Sequence, residues 1–113
     1  MKADDFRRIA LGMPEAQERE HMGHPDFRVE GKIFASLSED EGSGVLKLTL
    51  DQQEKLIGDG TGPFEAMAGA WGMRGWTRVV LGKARKDRVE RLMRMAWENA
   101  APRRLRESAA GGE

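Results

Sequence analysis

The chain has 113 residues, 39% apolar and 34% charged, with 19 basic and 19 acidic side chains that cancel to zero and no cysteine. That length supports one domain burying roughly 65% of its unfolded surface, and the lack of thiols excludes disulfides, thiolate metal sites and a cysteine nucleophile. No apolar run approaches the ~20 residues of a membrane-spanning helix, and the first residues, with Lys2, Asp4 and Asp5, lack the apolar centre of a signal peptide, so the expected location is the cytoplasm.

Residues 3 to 11 place Phe6, Ile9, Ala10 and Met13 at helical spacing, with Asp4 or Asp5 able to cap the first amides and Gly12 and Pro14 ending the helix. Four β-like runs follow, at 18–22, 26–29, 32–37 and 45–50. The turn-rich sequences Gly23-His24-Pro25, Glu30-Gly31 and Asp40-Glu41-Gly42-Ser43-Gly44 separate them. Alternation predicts that Ile33, Ala35 and Leu37 share one face, as do Leu46, Leu48 and Leu50, with Lys47 and Thr49 opposite. Asp51 followed by Glu54 predicts a capped short helix to Ile57, broken by Gly58-Asp59-Gly60-Thr61-Gly62, and Pro63 starts a turn or short helix through Ala68.

A glycine-punctuated segment carrying Trp71 and Trp76 leads into a fifth strand, 76–81, with Trp76, Arg78 and Val80 on one face and Thr77, Val79 and Leu81 on the other. The last helix, 85–100, buries Val89, Leu92, Met93 and Ala96 beside Trp97 and exposes Arg88, Arg91 and Arg94; Pro102 ends it. The expected fold class is therefore α+β: an antiparallel sheet of about five strands packed by N-terminal and C-terminal helices. The domain spans residues 1–106, and 107–113 form a small, polar, frayed tail.

Charge is distributed unevenly along the chain. Residues 71–106 hold 11 Lys or Arg against 3 Asp or Glu, whereas residues 1–70 hold 8 against 14. A local positive field gathers phosphates even at zero net charge, so Arg28, Lys32, Lys47, Arg74 and Arg78, with Trp76 to stack on a base, form a candidate nucleic-acid surface. The same residues support a plainer arrangement, in which Trp71 and Trp76 plug a sheet edge and the arginines pair carboxylates of the acidic half. On the last helix, Asp87 four before Arg91 and Glu90 four before Arg94 read as surface ion pairs.

His24-Pro25-Asp26-Phe27-Arg28-Val29, Gly31-Lys32-Ile33-Phe34-Ala35, Leu46-Lys47-Leu48, Trp71-Gly72-Met73-Arg74-Gly75-Trp76-Thr77-Arg78 and Ala96-Trp97 with Ala101-Pro102 resemble, in order and spacing, the MmcQ/YjbR family over residues 3 to 106. The resemblance implies an α+β fold related in topology to the frataxin-like fold, and DNA binding through a double-wing arrangement. It carries over no catalytic residues. One proposed wing, the Gly42-Ser43-Gly44 turn, follows Glu39, Asp40 and Glu41, which repel phosphate.

Chemistry beyond binding finds little support. His21 and His24 supply at most two imidazoles, and Glu18, Glu20 and Asp26 have no recognised ligand spacing, so no metal is expected. His24 before Pro25 is expected to organise a turn. The serines lack a nucleophile-elbow context, and the glycines of 58–62 are followed by no Lys-Ser/Thr pair, so no enzyme or cofactor is expected. The expected function is noncatalytic DNA binding. The alternative is a protein-interaction or small-anion module with the tryptophans lining a pocket.

Overall fold

A computed structural model describes residues 1–111 except Glu39 and Glu41; the expected acidic turn at those two positions and the last tail residues, 112 and 113, lie outside the described residues. Helix α1 (Ala3–Leu11) precedes strands β1 (Ala16–His21), β2 (His24–Val29), β3 (Lys32–Leu37) and β4 (Ser43–Lys47). Then come α2 (Leu50–Ile57), β5 (Phe64–Ala66), α3 (Gly69–Met73), β6 (Trp76–Val80), α4 (Lys86–Ala100) and α5 (Arg103–Gly111). The fold is α+β, with a fully antiparallel sheet in the order β1-β2-β3-β4-β6-β5. No helix among the described residues is long and apolar enough to cross a membrane.

Helices α1 and α4 cover one face of the sheet. The stripe at Val89, Leu92, Met93, Ala96 and Trp97 packs with Phe6 and Ala10 of α1 onto Phe27, Ala35, Leu37, Leu46 and Val79. Burial of this apolar set is the main force holding the layers together. Trp97 is fully buried, and its Nε1 donates to the Pro14 carbonyl at 2.9 Å, which ties α4 to the end of α1. Phe6 lies directly against Gly44 of β4, where a Cβ would overlap the phenyl ring. As expected from its position, Asp5 accepts the Lys2 amide at 2.8 Å; that bond, followed by Lys86, holds its carboxyl below the ordinary range.

Several sequence expectations shift. The β1–β2 turn is Met22-Gly23, with φ of 51° and 86°, a two-residue turn with both residues left-handed. His24 and Pro25 therefore belong to β2 and do not form the turn; the ladder with β3 begins at Asp26, so the missing Pro25 amide costs no bond on that side. In β3 the pairs Phe27↔Ala35 and Arg28↔Ile33 skip Phe34. This bulge buries Phe34 beside Ala35 and turns Ile33 to the opposite face from Ala35 and Leu37. Strand β4 stops at Lys47 because Thr49 and Gln52 form a reciprocal capping box, 3.1 and 2.9 Å, two residues ahead of the expected Asp51. Leu50 thus starts α2 and stands 46% exposed, off the Leu46 and Leu48 face.

Pro63 leads into β5, a sixth strand in place of a turn or helix. Three residues are too few to reveal alternation, yet Phe64 pairs with Val79 and enters the core. At the C-terminus, α5 runs from Arg103 to Gly111 and so includes the first residues of the expected tail. Leu105 is buried, and Arg103 and Glu107 pair at 2.8 Å, which gives this polar segment a reason to stay helical.

Gln53 fastens α2 to the tryptophan segment. Its buried amide Nε2 lies 3.1 Å from the Gly72 carbonyl, 3.0 Å from the Trp76 carbonyl and 3.2 Å from Thr77 Oγ1, so its two N–H groups are shared among three acceptors. Thr77 Oγ1 in turn donates to the Gly75 carbonyl at 2.9 Å.

Two substitutions test these contacts. Gly44→Ala is expected to lower unfolding free energy by about 1–3 kcal/mol through overpacking against Phe6, read as a lower urea midpoint at unchanged slope. Gln53→Leu removes the side-chain donor shared by the Gly72 and Trp76 carbonyls and Thr77 Oγ1, while the Gly75 and Met67 amides still donate to the two carbonyls, so the expected loss is that of net hydrogen bonds, about 0.5–1.5 kcal/mol; it should also change the near-ultraviolet circular dichroism of Trp71 and Trp76, and an unchanged spectrum with unchanged midpoint contradicts the clamp.

Candidate functional site

Because both long helices lie on one side, the other face of the sheet is left open. Alternation places His24, Asp26 and Arg28 of β2, Ile33 and Ser36 of β3, Ser43, Val45 and Lys47 of β4, and Trp76 and Arg78 of β6 on it. Helix α3 flanks this face and brings Trp71 against Trp76, ring centroids 5.9 Å apart and planes at 77°, an edge-to-face pair. Two glycines permit that placement: a Cβ on Gly72 would collide with the Met67 carbonyl, and one on Gly75 with the Leu48 carbonyl. Gly75 also has φ of 98°, a backbone region L side chains rarely adopt.

Between the tryptophans and the β1–β2 turn lies a hollow of about 440 Å3. Its walls are Trp71, Trp76, Met67 and Met22, and its floor is Ile33, Val45, Ser36, Asp26 and His24. Trp71 is 58% exposed, Met22 80% and the nearby Met73 76%. A second, shallower depression of about 370 Å3 shares Val45 and Met67 and runs toward Ser38, Asp40, Ser43 and Arg78. His24 Nδ1 is buried with no hydrogen-bond partner among the described residues.

The nominated cations do not form one free basic patch. Arg28 makes a two-pronged contact with the buried Asp26, Nε to Oδ1 at 2.8 Å and Nη2 to Oδ2 at 3.0 Å. Donating to that carboxylate holds the guanidinium pKa above its usual value. Arg78 Nε meets Ser43 Oγ at 3.2 Å and Glu65 Oε1, its cross-strand neighbour, at 3.5 Å. Asp40 stands below the ordinary carboxylate range, chiefly through the Ser38 hydroxyl and the Gly42 amide, with a further contribution from Arg78. Lys32 is opposite Val29, so alternation turns it away from the Arg28 side. Lys47 Nζ donates to the Arg74 carbonyl at 3.1 Å and sits 5.1 Å from the Trp76 ring centroid. Arg74 is exposed at the end of α3.

The basic C-terminal segment lies in the helix layer, across the sheet from the tryptophan hollow. There Lys86 pairs with Asp5 at 3.1 Å, Arg104 with Glu30, and Arg85 with Asp87 at 3.2 Å. Asp87 thus pairs with Arg85 at the helix start, not with Arg91, and Arg94 lies over the Trp97 ring at 5.5 Å, not against Glu90. Charge that is contiguous in sequence is divided between two sides of the fold. Among the described residues no three His, Cys, Asp or Glu side chains gather as metal ligands would.

Four of the six nominated residues, Arg28, Lys47, Trp76 and Arg78, come together on the open face, and Arg74 lies at its rim. Met22, Ile33, Val45, Met67 and the clamp Gln53 were not singled out. Alternation could have found Val45; Ile33 needed the bulge, and Met22, Met67 and Gln53 needed the third dimension.

Comparisons with known proteins agree with this architecture. The Deinococcus radiodurans protein DR2400, which carries a DUF419 domain, superposes with a TM-score of 0.74 at 17% identity, covering 96% of this chain and 88% of that one. A structural-genomics protein from Pseudomonas syringae gives 0.69 at 14% identity, covering 88% and 99% respectively. At such identities the likeness is one of fold. Among curated proteins none matches the sequence. The YjbR family model matches residues 11–99, and the chain belongs to the YjbR family.

Proposed function

We propose that the chain is a noncatalytic binding protein that engages its partner through the open face of the sheet, with Trp71 and Trp76 lining the contact. The observation that carries this reading is the hollow itself: exposed Trp71 and Met22 keep large apolar side chains in water around one concavity. Such patches on small soluble domains mark binding surfaces. Arg28 and Arg78 serve as supports, since each already faces a carboxylate. An anionic ligand would compete with Asp26 for Arg28 and with Glu65 for Arg78, which disfavours a small-anion module.

DNA binding stays the second reading, on one observation: Lys47 and Arg74 flank the exposed Trp71 and its neighbour Trp76, so a splayed base can stack while two cations meet phosphates. That geometry suits a single strand rather than a duplex. Two phosphate contacts correspond to only about a tenfold loss of affinity between about 50 and 200 mM salt.

The test pairs a thermal-shift screen of small neutral aromatics and anions with oligothymidylate anisotropy. Compounds that stabilise the native protein are expected to lose that effect in Trp71→Ala, whose own melting temperature stays within a few degrees because the side chain is exposed. Stabilisation that survives Trp71→Ala contradicts the open-face site. Oligonucleotide binding that falls about tenfold over the same salt range and disappears with Arg74→Ala establishes the second reading instead.

A further inference from the structure

The two walls and the floor of the hollow ask for different things of a ligand. Trp71 and Trp76 meet edge to face, and the Met67 and Met22 side chains complete an open, apolar and polarizable hollow that can take an aromatic ring. Its volume, about 440 Å3, falls in the lower range of small-molecule sites and accommodates one or two fused rings. The floor is rich in acceptors: the Asp26 carboxylate and Ser36 hydroxyl are register neighbours across β2 and β3, and His24 lies two residues before Asp26 on the same face. His24 Nδ1 is buried without a partner among the described residues, a deficit that a donating ligand would relieve in the tautomer that carries its proton on Nε2.

Charge narrows the class further. A carboxylate beneath two indoles would ordinarily suit an ammonium ligand. Here Asp26 is already neutralised by Arg28, and the Lys47 ammonium occupies the Trp76 ring at 5.1 Å. A cation would meet that ammonium, and an anion would compete with Asp26 for Arg28. Both considerations leave a neutral molecule.

Resting on the open-face reading, we infer that the hollow binds a planar, uncharged aromatic small molecule bearing a hydroxyl or ring N–H. The ring stacks between Trp71 and the Met22 side, and the donor reaches the floor at His24 and Ser36.

The three indole N–H signals in a nitrogen-15 spectrum of the full chain report directly on this. Trp71 and Trp76 line the hollow, while Trp97 is buried with its N–H on the Pro14 carbonyl and serves as the internal control. Phenol and indole should shift the Trp71 and Trp76 signals saturably and leave Trp97 in place. Phenol should bind at least about fivefold more tightly than toluene, which lacks the donor. His24→Leu or, should that variant fold poorly, Ser36→Ala should remove the preference while toluene binding persists. The inference is overturned if neither phenol nor indole moves the pair, or if toluene binds as well as phenol to the native protein. Oligothymidylate moving Trp71 and Trp76 where phenol and indole do not overturns it too, yet leaves the open face standing as the binding surface; if Trp71 and Trp76 respond to no probe, both readings fall.

Discussion

Packing both α1 and α4 on a single face is the constraint from which the rest of this molecule follows. A six-stranded antiparallel sheet has two faces to satisfy, and this chain covers only one with its long helices. The covered face is largely apolar, from Phe27 and Phe34 to Leu46 and Val79. Phe6 reaches β4 because residue 44 is glycine. The uncovered face must then tolerate water, and it does so by pairing its charges along and across strands. Asp26 with Arg28 and Glu65 with Arg78 are the result.

Against that polar background the tryptophan hollow stands out as the part of the open face that is not satisfied. Gln53 holds the backbone of the segment from below, and Gly72 and Gly75 let it pass close to Met67 and Leu48. The ordered backbone presents Trp71 outward, so exposure of the indole is a product of packing, not of a loose loop. Rigid placement of an aromatic ring in water suits recognition, because little entropy remains to be lost when a partner arrives.

The periodic parts of this fold were readable from the sequence. Nine residues of α1, the Val89 to Trp97 stripe of α4 and the alternation of β6 are long enough, and buried enough on one side, for spacing alone to identify them. Local departures from period were not readable. One unpaired residue, Phe34, reverses Ile33, and the Thr49 box ends β4 before Leu50 can join its face. Strand β5 is too short to show a pattern, and without it the partner of Arg78 is hidden. The Asp26–Arg28 pair was closer to legible, since residues two apart on a strand share a face. The run of positive charge after Trp71 misled most: β6 lies in the sheet while α4 and α5 lie elsewhere, so linear proximity did not become a common surface.

Hydrogen exchange of the indole N–H groups tests the central claim, that the tryptophan hollow lies on an uncovered face, most directly. In the free protein the Trp97 N–H, buried and bonded to Pro14, should exchange only with global opening, while the Trp71 N–H exchanges at nearly the rate of free indole. Equal protection of Trp71 and Trp97 would mean that the face is covered, and would contradict the account.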